Sequence, residues 1–222
     1  RMTLERPRKI ASRLIDVARL EVSKAETEPV PYLVVPKFLS PDALESLSND
    51  FPKVTEPRNH AIGKLEYGPA FAQLLEELAE PEWIRILGEK LGVPNLHELP
   101  FNTTVRGFCE ASDGNIHTDH WSKVVTVLIY PNREWTAEGG RLRILRSPTD
   151  LDDYATEVAP VDGTLLAFRR SARSFHGHKR YVGPRQLIQI SWLRRSPLAR
   201  ISQGVARYGT HLAKRLGLHP DS

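Results

Sequence analysis

The 222-residue chain predicts a mainly β protein with flanking helices: a double-stranded β-helix (jelly roll) with N-terminal helices packed on one sheet. Two observations carry this. Before Phe101 the apolar residues fall at helical spacing in several segments cut by prolines; after it they alternate, or run in short blocks bounded by turn residues. A set of antiparallel strands following N-terminal helices suits two packed sheets.

The elements follow in order. Residues 8–24 place Ile10, Leu14, Ile15, Val17, Ala18 and Val22 near helical spacing, which predicts a helix against the outside of the barrel. Residues 27–31 break the pattern with two prolines, and Tyr32–Pro36 reads as a short strand. Ser40-Pro41-Asp42 opens a helix to about Asn49 or Phe51, with Ser40 as N-cap and Pro41 at its first position. Residues 52–68 have no periodicity and read as a loop, with His60 a solvent-exposed side chain. Phe71, Leu74, Leu75 and Leu78 mark a helix over 69–79; Trp83, Ile86, Leu87 and Leu91 mark another over 82–91, both with core-facing stripes. Strands are expected over 102–109, 116–119, 124–130, 141–145, 164–168 and 185–193, with a turn at Ser112-Asp113-Gly114-Asn115.

From Ser196 the spacing of Ile201, Val205, Tyr208, Leu212 and Leu216 predicts a basic helix or tail, docking on the domain or touching a partner or anionic membrane surface. The expected division is 1–29 as a helical extension, 30–195 as the jelly-roll domain and 196–222 as the basic tail.

Composition excludes more than it selects. A hydrophobic fraction of 40% and a charged fraction of 26% are those of an ordinary globular chain. The net charge of +4 is too small to imply nucleic acid, and no basic groove interleaved with aromatics is visible. The single cysteine, Cys109, cannot form an internal disulfide and reads as a buried thiol. No apolar run is long enough for a membrane-spanning helix, and the N-terminus lacks a signal-peptide core. Met2, the only methionine, reads as the natural start, and the cytoplasm is the expected address.

The chemistry centres on His117-Thr118-Asp119. On an extended strand, side chains two residues apart share a face, so an imidazole and a carboxylate can reach one metal together. His176, 57 positions after Asp119, is the best third ligand. Two His and one carboxylate with open positions opposite suit non-haem Fe(II) that activates O2. Arg185 lies nine positions after His176 and can return along a hairpin to grip a carboxylate with two parallel hydrogen bonds. A dicarboxylate co-substrate would then chelate iron at one end and pair with Arg185 at the other.

This ordered set resembles the Fe(II)/2-oxoglutarate dioxygenases, and the prolyl 4-hydroxylase-like branch in particular. Residues 125–132, Trp135 and residues 139–144 resemble that branch's middle strands and residues 160–168 the strand leading to its second His, and the likeness spans roughly 30–195. It implies Fe(II), 2-oxoglutarate and O2, with ascorbate a candidate auxiliary reductant. It also implies hydroxylation of an unactivated C–H bond with release of succinate and CO2. Phe175-His176 takes the place of the family's aromatic-His pair, which favours His176 over His178 as ligand; His120 should point away. Tyr130 matches a tyrosine that helps hold the distal carboxylate of 2-oxoglutarate, and Thr126 shares its face. Leu142 and Gln189 are further candidates for lining that pocket, although Gln189 stands where relatives carry a small hydroxyl residue.

The substrate is open at this point: a peptidyl-prolyl residue by the resemblance, or a small molecule or carbohydrate. Arg169, Arg170, Arg173, Lys179 and Arg180 would favour an anion if they ring the mouth; as a solvated hairpin they would not. Arg106, Trp121 and His178 are candidate substrate contacts. The competing class is a non-catalytic jelly-roll protein that keeps its metal ligands for binding or interaction.

Overall fold

The computed structural model describes residues 12–195. In chain order the α-helices are α1 (Val17–Val22), α2 (Pro41–Asp50), α3 (Pro69–Leu78) and α4 (Pro81–Lys90). The strands are β1 (Tyr32–Val35), β2 (His60–Ala61), β3 (Phe101–Cys109), β4 (Lys123–Tyr130), β5 (Leu142–Leu145), β6 (Tyr154–Val158), β7 (Thr164–Arg169), β8 (His176–Gly177) and β9 (Gly183–Leu193). Six form a major sheet in the order β1-β7-β4-β9-β3-β2 and three a minor sheet in the order β6-β5-β8. All pairings are antiparallel, giving the expected jelly roll.

Strand alternation gives the major sheet two faces. Val125, Val127 and Ile129 of β4, with Ile188, Ile190 and Trp192 of β9, point outward and pack with Leu47, Phe71, Leu74, Trp83 and Leu87 of the helices. Trp83 meets Trp192 edge-on, with ring centroids 5.9 Å apart. The opposite face turns toward the minor sheet. There Leu128, Tyr130, Leu166, Phe168 and Leu187 close a second apolar cluster with Leu142, Ile144 and Val158.

Local signals set the helix ends. The Ser40 hydroxyl accepts the Ala43 N–H at 3.1 Å, and Pro41 fills the first position of α2. The Asp50 carboxylate, at the end of α2, accepts the Ala70 N–H at 2.6 Å and so caps α3.

Four expectations are corrected. Residues 12–16 are not helical, and α1 begins only at Val17. The buried Glu77 carboxylate accepts the Leu14 and Ile15 N–H groups, while Asp16 N–H bonds Phe38 O, so tertiary partners take up the N–H groups of this segment. The 52–68 stretch holds a strand, β2, paired with β3, and His60 on it is half-buried. Gly107 allows this approach, because a Cβ there would lie 2.0 Å from Val54 O. Residues 116–119 form no regular strand; His117 makes one isolated bridge, to His176. The strand β6 was not expected, since as the edge of the minor sheet it buries only Val158 fully and shows no apolar alternation. The first part of the predicted 8–24 helix and the whole tail from Ser196 lie outside the described residues.

Candidate active site

His117, Asp119 and His176 converge, with one donor atom from each lying within 4.8 Å of the others. Their convergence depends on the His117–His176 bridge, in which each backbone N–H bonds the other's carbonyl, at 3.0 and 2.9 Å. The imidazole centroids are 4.3 Å apart. His117 Nδ1 lies 2.8 Å from Asn115 O, and His176 Nδ1 lies 2.9 Å from Ser174 O. A carbonyl can only accept, so both rings carry their proton on Nδ1 and leave Nε2 free as a ligand. His176 is buried and His117 is exposed, so the site opens on the His117 side.

Asp119 is buried and doubly held. Its Oδ2 accepts the Thr126 hydroxyl at 2.5 Å, and its Oδ1 pairs with the Lys123 ammonium at 2.6 Å. Burial alone would raise its pKa, but Lys123, His176 and the Thr126 hydrogen bond outweigh burial and hold it well below the carboxylate range. The carboxylate is therefore ionised and ready for a cation. Burial, reinforced by His117, pushes His176 down to about 4, so it is neutral as a ligand must be. Burial and then Arg185 depress His178, also to about 4. His120 is lowered by burial, Lys123 and Arg170, and its Nδ1 is turned to the Ser122 hydroxyl at 2.8 Å.

The second part of the site lies between the sheets. Arg185 is 3% exposed and makes no ion pair among the described residues. Its Nε donates to Gly140 O at 2.9 Å, and its guanidinium carbon lies 5.2 Å from the Tyr130 ring centroid. Burial raises the Tyr130 pKa, and the nearby Arg185 offsets part of that rise. Yet no hydrogen bond to the buried Tyr130 hydroxyl closes. A buried guanidinium without an acid, beside a buried hydroxyl without a partner, calls for a carboxylate. The residues thus fit both absent groups: two imidazoles and a carboxylate for Fe(II), and the Arg185–Tyr130 pair for the distal end of 2-oxoglutarate.

The other sequence candidates are placed as follows. Thr126 meets Asp119 rather than Arg185. Leu142 joins the apolar cluster around Tyr130. Gln189 sits on the inner face of β9, donating to the Ser191 hydroxyl at 3.2 Å and accepting from the Asn59 amide at 3.2 Å. Arg106 pairs with the buried Asp113 at 2.6 Å and donates to Asn59 at 3.1 Å. It thereby ties the turn before His117 to the 52–68 segment. Trp121 is 43% exposed beside the His120 ring. His178 donates its backbone N–H to Gly114 O, and a Cβ on Gly114, which has a φ of +92°, would strike its ring at 2.4 Å.

The basic hairpin does not ring one mouth. Arg169 turns to Gly92 O and Lys179 pairs with Asp152, while Arg170 donates to the Asp119 carbonyl at 3.0 Å. Lys123, Asn59 and Ser191 were missed by sequence reading. Ser191 was open to it, two residues from Gln189 on one face; nothing local marks Lys123 or Asn59.

Comparison with known proteins agrees with this geometry. Residues 107–194 match the model of the 2OG-Fe(II) oxygenase superfamily. No curated protein matches the chain. Among solved structures, a Pseudomonas putida prolyl-4-hydroxylase superposes with a TM-score of 0.53 at 18% identity, covering 87% of this chain and 98% of that one. A 2OG-Fe(II) oxygenase family oxidoreductase from Burkholderia pseudomallei gives 0.53 at 13% identity, over 86% and 96% of the two chains. A prolyl 4-hydroxylase of Phytophthora capsici gives 0.54 at 16% identity, over 83% and 67%. These likenesses establish the fold. The architecture is thus that of the prolyl 4-hydroxylase-like structures, and the stretch that matches the 2OG-Fe(II) oxygenase superfamily model contains the His117, Asp119 and His176 cluster.

Proposed function

We propose that the protein hydroxylates an unactivated C–H bond of its substrate, with 2-oxoglutarate oxidised to succinate and CO2. The observation that carries this is the pairing of a converged His117, Asp119 and His176 with a buried, acid-free Arg185 beside an unpartnered Tyr130 hydroxyl. In this reading His117 and His176 present Nε2, and Asp119 presents the oxygen not held by Thr126. Bound iron and co-substrate supply O2 activation coupled to decarboxylation. Arg185 and Tyr130 orient the co-substrate by its distal carboxylate. Leu128, Leu142 and Leu187 keep water from that end. The open side at His117 leaves room for the substrate.

A peptidyl-prolyl substrate is the first class to screen, supported by the fold likeness; small molecules and carbohydrates follow, because a fold and a metal site do not fix the substrate. No helix among the described residues is long and apolar enough to cross a membrane. The cytoplasmic address is retained as part of this reading, supported by the single buried thiol of Cys109.

Anaerobic titration of the Fe(II)-loaded protein with 2-oxoglutarate tests the proposal. A visible charge-transfer band is expected, lost on Asp119→Ala or His176→Ala. Iron binding without a band would refute the co-substrate role of Arg185 first. Failure to form succinate from 2-oxoglutarate with any substrate screened would favour the non-catalytic binding alternative.

A further inference from the structure

The charges around Asp119 do not balance once the site is filled, and the imbalance identifies the kind of substrate. Resting on the co-substrate reading above, the metal dication and the 2-oxoglutarate dianion cancel, and the Asp119 carboxylate cancels Arg185. Arg106 is neutralised by Asp113, and Lys179 and Arg143 are neutralised by Asp152 and Glu157. Two cations remain beside the metal ligands. The Lys123 ammonium is 2.6 Å from Asp119 Oδ1 and its side chain is only 16% exposed. Arg170 is half-buried, with its Nε on the Asp119 carbonyl at 3.0 Å and no ion pair among the described residues.

Asp119 is the one acid paired with Lys123 among the described residues. When the metal takes a share of that carboxylate, the ammonium loses its counter-ion while staying largely out of water. A partly buried charge left in this way is costly unless an anion replaces the lost partner. We infer that Lys123, supported by Arg170, is the anchor for an acid group on the substrate, a carboxylate or a phosphate, placed beside the metal on the open His117 side. A small anionic molecule or an acidic side chain near the hydroxylated position of a peptide both meet this requirement. An uncharged substrate would leave the two cations uncompensated.

The test uses the full-length protein with Mn(II) in place of iron and saturating 2-oxoglutarate, which keeps the probes off Arg185. Inorganic phosphate and isotopically labelled acetate are the probes, read by the metal's enhancement of their NMR relaxation. The wild type is expected to enhance one of them, and which one tells a phosphate-bearing from a carboxylate-bearing substrate. Lys123→Met should weaken the apparent affinity about 10-fold or more, and Lys123→Arg should restore it. Mn(II) and 2-oxoglutarate titrations of both variants establish that the site is still folded. Equal enhancement in Lys123→Met and wild type, or none in the wild type with 2-oxoglutarate bound, overturns the anchor alone. Failure of the Mn(II) protein to bind 2-oxoglutarate overturns the co-substrate reading and this inference with it.

Discussion

Strands β4 and β9 each carry two unlike faces. Outward, Val125, Val127, Ile129, Ile188, Ile190 and Trp192 are fully buried against the helices. Inward, the same strands present Thr126, Tyr130, Arg185, Gln189 and Ser191, most of them polar and most of them also buried. The outer face gains free energy from apolar area removed from water. The inner face holds groups whose burial costs free energy until a ligand meets them: a guanidinium without an ion pair among the described residues and a hydroxyl without a hydrogen-bond partner. The pairing of the two faces on one backbone explains how a costly site is held in place. The period of two lets the apolar layer fix, through the strands themselves, the positions of the polar one.

The largest expected effect is at the donor cluster beside the inner face, where Thr126 holds Asp119. His176→Ala or Asp119→Ala should abolish 2-oxoglutarate turnover and lose metal binding, with the metal-free protein still folded by circular dichroism. Full activity in His176→Ala would move the ligand assignment to His178. The converse change on the outer face is Trp192→Ala, which removes a fully buried ring and should cost about 3–5 kcal/mol in urea unfolding. Metal affinity of the remaining folded protein should be nearly unchanged; a large loss there would mean that the two faces are not separable.

Arg185→Ala should raise the 2-oxoglutarate concentration needed for half-maximal turnover roughly 10- to 100-fold, the loss of a charge-assisted hydrogen-bond pair. An unchanged requirement would show that the buried guanidinium serves packing alone.

The buried histidines on and just after β8 should also give the metal-free protein a pH dependence. His176 and His178 have folded pKa values near 4, below the ordinary 6.5, so the fold favours their neutral forms. The unfolded chain therefore binds more protons, and stability present above about pH 6.5 is lost as pH falls toward 4. The melting temperature should drop across that window, and His178→Asn should shallow the drop. The smallest effect is expected from Thr126→Val, which frees one oxygen of Asp119 and should weaken metal binding about 10-fold, measured by titration.

Much of this site was legible from residue order. The His117-x-Asp119 pair, the distant His176 and Arg185 nine residues later were named from spacing, and the structure brings the three donors together and buries Arg185 within ring contact of Tyr130. The reason given for the first pair was only partly right, since residues 116–119 are not a regular strand. What aligns His117 is its bridge to His176, a long-range contact that no local pattern encodes. Alternation puts Thr126 on one face with Tyr130, and the family resemblance alone suggests Gln189; both side chains lie on the inner face. Their partners, Asp119 for one and Asn59 and Ser191 for the other, depend on which strands and loops adjoin.

By itself, the sequence determined the periodicities: mostly helices before Phe101, the one from Pro41 capped by Ser40, strands after it, and the residue types of the candidate metal donors. These follow from local rules of spacing and backbone preference. Only the tertiary structure decided which charges meet. Glu77 took the Leu14 and Ile15 N–H groups where the spacing of residues 12–16 favoured a helix. Lys179 was drawn to Asp152, and Lys123 to Asp119. Electrostatic partnership depends on distance in space and on exclusion of water, and neither is a property of a residue's neighbours along the chain.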